Sequence, residues 1–153
     1  MEISYGHIDG IKIGQIFETR QALIDAGMHP HREAGIWGSS KNAACSIVLS
    51  GGYEDDLDEL DFVLYTGHGG QKNKVQVADQ DFSAKRGWGN KGLVISYESN
   101  LPVRVIRGYQ IDNGPTSGYR YDGLYYVEKY ERVRGKSGYF VCRFYLRSEL
   151  QIQ

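Results

Sequence analysis

Tyr53 and Tyr65 stand twelve residues apart, each beside glycines, with Asp56 between them. The run reads Ser50-Gly51-Gly52-Tyr53-Glu54-Asp55-Asp56-Leu57-Asp58, then Phe62-Val63-Leu64-Tyr65-Thr66-Gly67-His68-Gly69-Gly70. Glycines let a ligand approach the backbone closely. Two flat rings with one carboxylate suit a planar heterocycle that carries an amino group. The same residue types also make two ordinary sheet tyrosines beside a solvated acidic loop, and spacing alone does not separate these readings.

Catalytic chemistry finds less support. His29-x-His31 together with the acidic run is a conceivable divalent-metal set. Residues 56–61, however, lack the glycine and the spaced oxygen ligands of a calcium loop. There is no His-Glu-x-x-His, no Cys-x-x-Cys pair and no phosphate loop, and no Gly-x-Ser-x-Gly elbow. No catalytic residue, metal or cofactor is expected, and the chain reads as a binding module. A protein-interaction domain with a tyrosine-rich face is the competing non-enzymatic reading.

Composition narrows the partner. The 153 residues suit one domain, residues 1–153, with 18 Lys plus Arg against 19 Asp plus Glu and a net charge of −1. That balance excludes a uniformly basic polyanion binder. Charge is nevertheless uneven. Six acids (Glu54, Asp55, Asp56, Asp58, Glu59 and Asp61) fall in one short stretch, leaving thirteen acids against 18 bases elsewhere. Bases gather at His29-Pro30-His31-Arg32, Lys72-Asn73-Lys74, Lys85-Arg86 and Arg132-Val133-Arg134-Gly135-Lys136. A local cationic face of this size can hold a phosphate backbone, though basic clusters also serve as plain solvated surface. No apolar run approaches the ~20 residues of a membrane helix, and no leader-like segment opens the chain. Cys45 and Cys142 are too few for a disulfide framework or a zinc site. They read as free thiols in a reducing, intracellular compartment.

The elements that must position these residues are short. Glycine (20) and tyrosine (12) are abundant and proline (3) is scarce, which suggests strands joined by tight turns. Alternation predicts a strand over residues 10–17, and the spacing of Ala22, Leu23 and Ala26 before Gly27 predicts a helix over 19–26. Further strands are predicted at 44–49, 61–66, 101–109, 124–133 and 139–146, with a hairpin turn at Gly135-Lys136-Ser137-Gly138. In the 101–109 strand, Val103 and Val105 should share one face and Arg104 and Ile106 the other. A second helix is predicted between Ala78 and Lys85. The sum is an α+β domain, a curved sheet or open barrel with one or two short helices.

The Tyr53–Gly70 segment resembles the signature of the SRA domain, also called the YDG domain. Ala34-Gly35-Ile36-Trp37-Gly38, Leu101-Pro102-Val103-Arg104-Val105-Ile106-Arg107, Arg120-Tyr121-Asp122-Gly123-Leu124-Tyr125 and Lys136-Ser137-Gly138-Tyr139-Phe140-Val141-Cys142-Arg143-Phe144 match in the family's order. The resemblance covers roughly residues 6–148. It implies a β-barrel-like, PUA-related fold that reads 5-methylcytosine in double-stranded DNA by rotating the base out of the helix. By motif position, Tyr53 and Tyr65 would sandwich the base and Asp56 would accept the N4 amino protons. Gly52, Thr66 and Gly67 would belong to the same pocket, with backbone groups near Thr66 and Gly67 completing the hydrogen bonding.

The energetics of such a reader are sensible. Extrusion costs a few kcal/mol, and stacking returns about 1–3 kcal/mol per aromatic partner. A carboxylate selects the N4 donor of cytosine over the O4 acceptor of thymine. One buried methyl contributes only ~0.8 kcal/mol, so discrimination needs a fitted wall. His68 replaces a small residue at that wall. It is placed to cap the pocket, to donate to a 5-hydroxymethyl group, or to sit outside it. By motif position Glu33, preceded by Arg32, would enter the vacated duplex space, Glu33 accepting from the orphaned guanine and Arg32 holding a phosphate; a Glu33 that is simply exposed is the alternative. Lys72, Asn73 and Lys74 lie in a second probing loop, 71–75. The compact loops look like those of bacterial members, in which such domains guide an attached HNH-type nuclease in modification-dependent restriction. A eukaryotic-type reader of hemimethylated CpG is the alternative. These implied settings are the nucleoid and the nucleus respectively.

Overall fold

The computed structural model describes residues 3–83 and 88–151. Its first elements are β1 (Ile16–Phe17), α1 (Arg20–Asp25), β2 (Ile36–Trp37), β3 (Ser46–Leu49), β4 (Leu57–Asp58) and β5 (Phe62–Thr66). There follow β6 (Gln71–Lys72), β7 (Val75–Gln76), α2 (Trp88–Ser99), β8 (Val103–Gly108), β9 (Tyr119–Arg134), β10 (Phe140–Ser148) and a last 3-10 turn, Glu149–Gln151. Eight strands form one sheet in the order β2-β3-β8-β9-β10-β5-β4, with β1 added against β9. Among the described strands only β3 and β8 pair in parallel. β6 and β7 make a separate hairpin. This is the α+β architecture with few short helices. Among the described residues no helix is long and apolar enough to cross a membrane.

The long β9 is the spine of the sheet. Its first half pairs with β8 and its second half with β10, with a register shift on each side. One core packs α2 residues Leu93 and Val94 against Ile47, Val63, Val105, Cys142 and Phe144. A smaller one seats α1 residue Leu23 on Phe17, Ile106 and Tyr121. α1 begins where its sequence says it should, because the Thr19 side chain accepts from the Ala22 N–H. Both cysteines are free and buried.

Two expectations need correction. The predicted 10–17 strand is reduced to Ile16–Phe17, since Gly10 and Gly14 take φ of +82° and +95° and break the extended run. The predicted helix at 78–85 is absent over 78–83, while 84 and 85 lie outside the described residues. There the Gln80 N–H donates to the Phe140 carbonyl, as a strand residue would. Helix α2 appears instead at Trp88–Ser99, where the glycines concealed it. A Cβ at Gly92 would come within 3.0 Å of the Gly38 Cα, so glycine is what lets the helix dock. The facing predicted for β8 holds, with Val103 and Val105 in one core and Ile106 in the other, and every residue of the strand is buried. Its two arginines are absorbed by internal partners.

Candidate functional site

The acidic stretch is not a solvated loop, because its acids take separate tasks. Asp55 is 7% exposed, and its Oδ1 accepts from the Lys136 N–H at 3.0 Å and from Arg143 at 3.4 Å. Asp58 is gripped by Arg107 through two hydrogen bonds of 2.7 and 2.8 Å. Burial alone would raise the Asp58 pKa, but the Arg107 contacts bring it below the usual value. Asp56, between them, lines a cavity of about 570 Å³. Its Oδ1 accepts from the Thr66 N–H at 2.7 Å. Burial pushes its pKa up to about 6, against the Thr66 hydrogen bonds and helped by the charges of Asp55 and Asp58.

The cavity brings together Gly52, Tyr53, Asp56, Tyr65 and His68, with Glu33 and Lys74 at its edges. Its size is that of a small-ligand site. Tyr65 is buried, with its hydroxyl donating to the Gly35 carbonyl at 3.2 Å. Burial, then Asp56 and Tyr53, raise its pKa well above the ordinary phenol value, so it stays neutral. Gly35 is obligatory here, since a Cβ would stand 2.6 Å from that hydroxyl. The Tyr53 hydroxyl accepts from the Gly69 N–H at 3.3 Å, and the Gly52 carbonyl accepts from Gln71 at 2.7 Å. Two neutral phenols and one half-buried carboxyl therefore share a chamber whose backbone is pinned. A larger open groove of about 650 Å³ between Tyr97, Tyr126 and Glu149 offers no buried acid.

Thr66 and Gly67 stand behind the wall rather than on it. The Thr66 N–H is engaged by Asp56, the Gly67 N–H by the Cys142 carbonyl, and the Gly67 carbonyl by Gln80 at 2.7 Å. These groups shape the pocket from behind. Three buried carboxamides that sequence reasoning passed over hold this turn. Gln76 donates to the Gly69 carbonyl at 3.0 Å. Gln80 ties Gly67 to the Cys142 N–H. Asn90 accepts from the His68 N–H at 2.8 Å and donates to the His68 carbonyl at 3.0 Å. The signal available was polar residues inside otherwise apolar or glycine-rich stretches. His68 itself lines the cavity, with its ring backed by Gly89, and burial lowers its pKa, so at pH 7 it is neutral.

Two projections flank the cavity. On one side the exposed Arg32 and Glu33 ride on a loop anchored from below. Arg20 donates to the carbonyls of His31 and Ala34 at 2.9 and 3.2 Å. His29 bonds Ser46 Oγ through Nδ1 and the Ala34 carbonyl through Nε2. Burial, opposed by the Ala34 contact, lowers the His29 pKa to about 3. With both nitrogens used, it is a loop anchor and not a metal ligand. Among the described residues no three His, Cys, Asp or Glu side chains converge as a metal site. On the other side β6 and β7 form a hairpin whose turn residues, Asn73 and Lys74, both have positive φ. It presents Lys72, Asn73 and Lys74 to solvent.

The other basic clusters divide. Arg132 donates to the Gln80 carbonyl, and Arg132 and Arg134 both lie 4.7 Å over the Phe140 ring. Lys136 donates to the Glu54 carbonyl at 3.0 Å. This cluster braces the β9–β10 turn against the acidic loop, whereas Lys85 and Arg86 lie outside the described residues.

Comparison with known proteins fits this geometry. The chain is 45% identical to a solved structure of the modification-dependent TagI restriction endonuclease, with a TM-score of 0.89 over 94% of this chain and 52% of that one. It is 37% identical to the SUVH5 SRA bound to fully hydroxymethylated CG DNA, with a TM-score of 0.80 over 95% of this chain and 94% of that one. Against the E3 ubiquitin-protein ligase UHRF1 of Rattus norvegicus it is 36% identical over 165 residues, spanning 95% of this chain but 21% of that protein. The chain thus corresponds to about a fifth of that relative's length and about half of the TagI chain. The SAD/SRA domain model matches residues 4–151, and the chain belongs to the SAD/SRA domain family.

Proposed function

We propose that this domain binds double-stranded DNA containing 5-methylcytosine or 5-hydroxymethylcytosine, and that it takes the modified base out of the stack into the Tyr53–Asp56–Tyr65 cavity. The observation that carries this reading is the convergence of two phenol rings and one half-buried carboxyl on a single chamber. Ionised Asp56 accepts the N4 amino protons while the rings stack on the two faces. Glu33 and Arg32 enter or flank the space the base leaves. Lys72, Asn73 and Lys74 meet the backbone, where positive charge gives affinity without sequence information.

The whole chain acts as one domain in this account, a targeting module. Its likeness to the TagI endonuclease, half of whose chain it matches, supports a role in modification-dependent restriction. DNA cleavage then belongs to a separate domain, such as a fused or associated HNH nuclease.

The test is a titration with duplexes that differ only in carrying C, 5-methylC or 5-hydroxymethylC, at one stated salt concentration, with 2-aminopurine beside the target. Modified duplexes should bind tighter and raise the 2-aminopurine emission. Tyr53→Ala should cost the modified duplex about 5–150-fold, the ~1–3 kcal/mol of a lost stacking partner, and leave the unmodified one nearly unchanged. Equal affinity for all three duplexes, with no emission change, would overturn the reading.

A further inference from the structure

We infer that the ion chain Asp122–Arg107–Asp58, with Asp55 clamped on the other side, is a positioning device that aims the Asp56 carboxylate into the cavity; this rests on the modified-base reading above. Asp56 lies on a loop, just before the two-residue edge strand β4. Within that loop the backbone contributes little, the Asp56 N–H reaching the Tyr53 carbonyl at 3.3 Å. Yet a charged group that must meet one amino group needs to be held to a fraction of an ångström. The Thr66 N–H holds one carboxylate oxygen at 2.7 Å, and the residues on both sides of Asp56 hold the backbone from which it reaches.

On the β4 side the restraint starts from the middle of the sheet. Arg107, on the fully buried β8, is 1% exposed. Its Nη1 donates to Asp122 Oδ2 at 2.9 Å, and Arg120 Nε holds the other Asp122 oxygen at 2.6 Å. With the guanidinium fixed by Asp122, its Nε and Nη2 form a planar fork on Asp58. Nη2 also donates to the Leu60 carbonyl at 2.8 Å, which the Tyr125 hydroxyl reaches at 2.6 Å. Leu60 has φ of +70°, a conformation that only over-determined surroundings maintain in a residue with a Cβ. Asn113 donates to the Asp58 carbonyl at 3.0 Å. On the other side Asp55 is tied to Lys136 and Arg143 on the β9–β10 hairpin.

A buried ion pair is a poor way to gain stability, and apolar residues would cover the same space. What the arginine fork adds is orientation, since two parallel bonds fix the plane and rotation of the acid they hold. The pairing also has an electrostatic use. Asp55 and Asp58 flank Asp56, and without Arg143 and Arg107 their bare charges would push its proton affinity higher. The Asp122 of the Tyr-Asp-Gly run thus serves the pocket without lining it.

The experiment measures the ratio of affinities for modified and unmodified duplex across pH 5–8 for Asp58→Asn and Asp122→Asn, with Asp56→Asn in parallel and folding checked by circular dichroism. Asp58→Asn should lower the ratio about tenfold, the scale of a lost charge-assisted hydrogen bond. Affinity for unmodified duplex should hold, and the pH at which the ratio is lost should move down, because Arg107 is left with surplus positive charge. Asp122→Asn, which keeps the Arg107–Asp58 fork, should produce a smaller drop and stands in if Asp58→Asn does not fold. A purely structural role would lower the melting temperature and leave both the ratio and its pH midpoint unmoved. If Asp56→Asn loses the ratio while folded Asp58→Asn and Asp122→Asn keep it, the positioning inference is overturned and the base-pocket reading stands. If Asp56→Asn itself keeps the full ratio, the base-pocket reading fails.

Discussion

At the scale of single residues the proposed pocket would trade stability for recognition, with Asp56 carrying the trade. An unfolded chain holds this carboxyl near its ordinary pKa of 3.8, whereas burial in the fold raises it to about 6. Between those values the folded state binds more protons than the unfolded one, so stability falls as pH rises through the window. At neutral pH the ionised acid costs the fold on the order of 1–3 kcal/mol. Asp56→Asn keeps an acceptor for the Thr66 N–H and removes that cost. Its melting temperature should therefore rise by several degrees at pH 7–8, about 2–4 °C per kcal/mol for a domain of this size. The gain should shrink as pH falls from 6 toward 4. The same variant should lose modified-base selection, because an amide presents both a donor and an acceptor to the amino group. A melting temperature that falls at pH 8 would show that ionised Asp56 is stabilising.

At the scale of elements, the pocket wall depends on amides that no surface exposes. Gln80 is 1% exposed and bridges the Gly67 carbonyl to the Cys142 N–H. Gln80→Leu would leave both groups buried without partners, each costing about 1–3 kcal/mol, and thermal denaturation should show a loss on the order of 2–5 kcal/mol. An unchanged transition would mean that the turn is held elsewhere. Such residues explain what was legible beforehand. The strands at 46–49, 62–66, 103–108 and 140–148 stood out because β-branched and aromatic residues cluster there, and α1 because Thr19 and Gly27 bracket it. The tyrosines and Asp56 were findable because glycines frame them. Helix α2 was not, because Gly89 and Gly92 lower helix propensity locally while the close approach to His68 and Gly38 that requires them is a tertiary fact. The partners of Arg104 and Arg107 were not legible either, since only the fold reveals the Ser4 and Gly6 carbonyls and the carboxylates of Asp58 and Asp122 that receive them.

At the scale of the whole molecule, a net charge of −1 sets the terms on which DNA can be held. No global field draws a duplex in, so attraction must come from the exposed bases on the two projections beside the cavity, Arg32, Lys72 and Lys74. The bases at 132–136 are committed to the β9–β10 turn and the acidic loop. If each of the three free cations neutralises one phosphate, log K should fall with log salt at a slope of about −2.7, a loss of about 40-fold between 50 and 200 mM. The pocket contributes differently. In the proposed mode, stacking on Tyr53 and Tyr65 and the hydrogen bond to half-buried Asp56 would displace few ions, and charges in a cavity are screened weakly by salt. Raising salt should therefore weaken modified and unmodified duplexes by the same factor, giving parallel lines whose separation is the worth of the modified base. Fluorescence anisotropy at four or five salt concentrations would measure both slopes. Lines that converge as salt rises would mean that the preference comes from extra phosphate contacts on a distorted duplex, and that the cavity between the phenols takes no base.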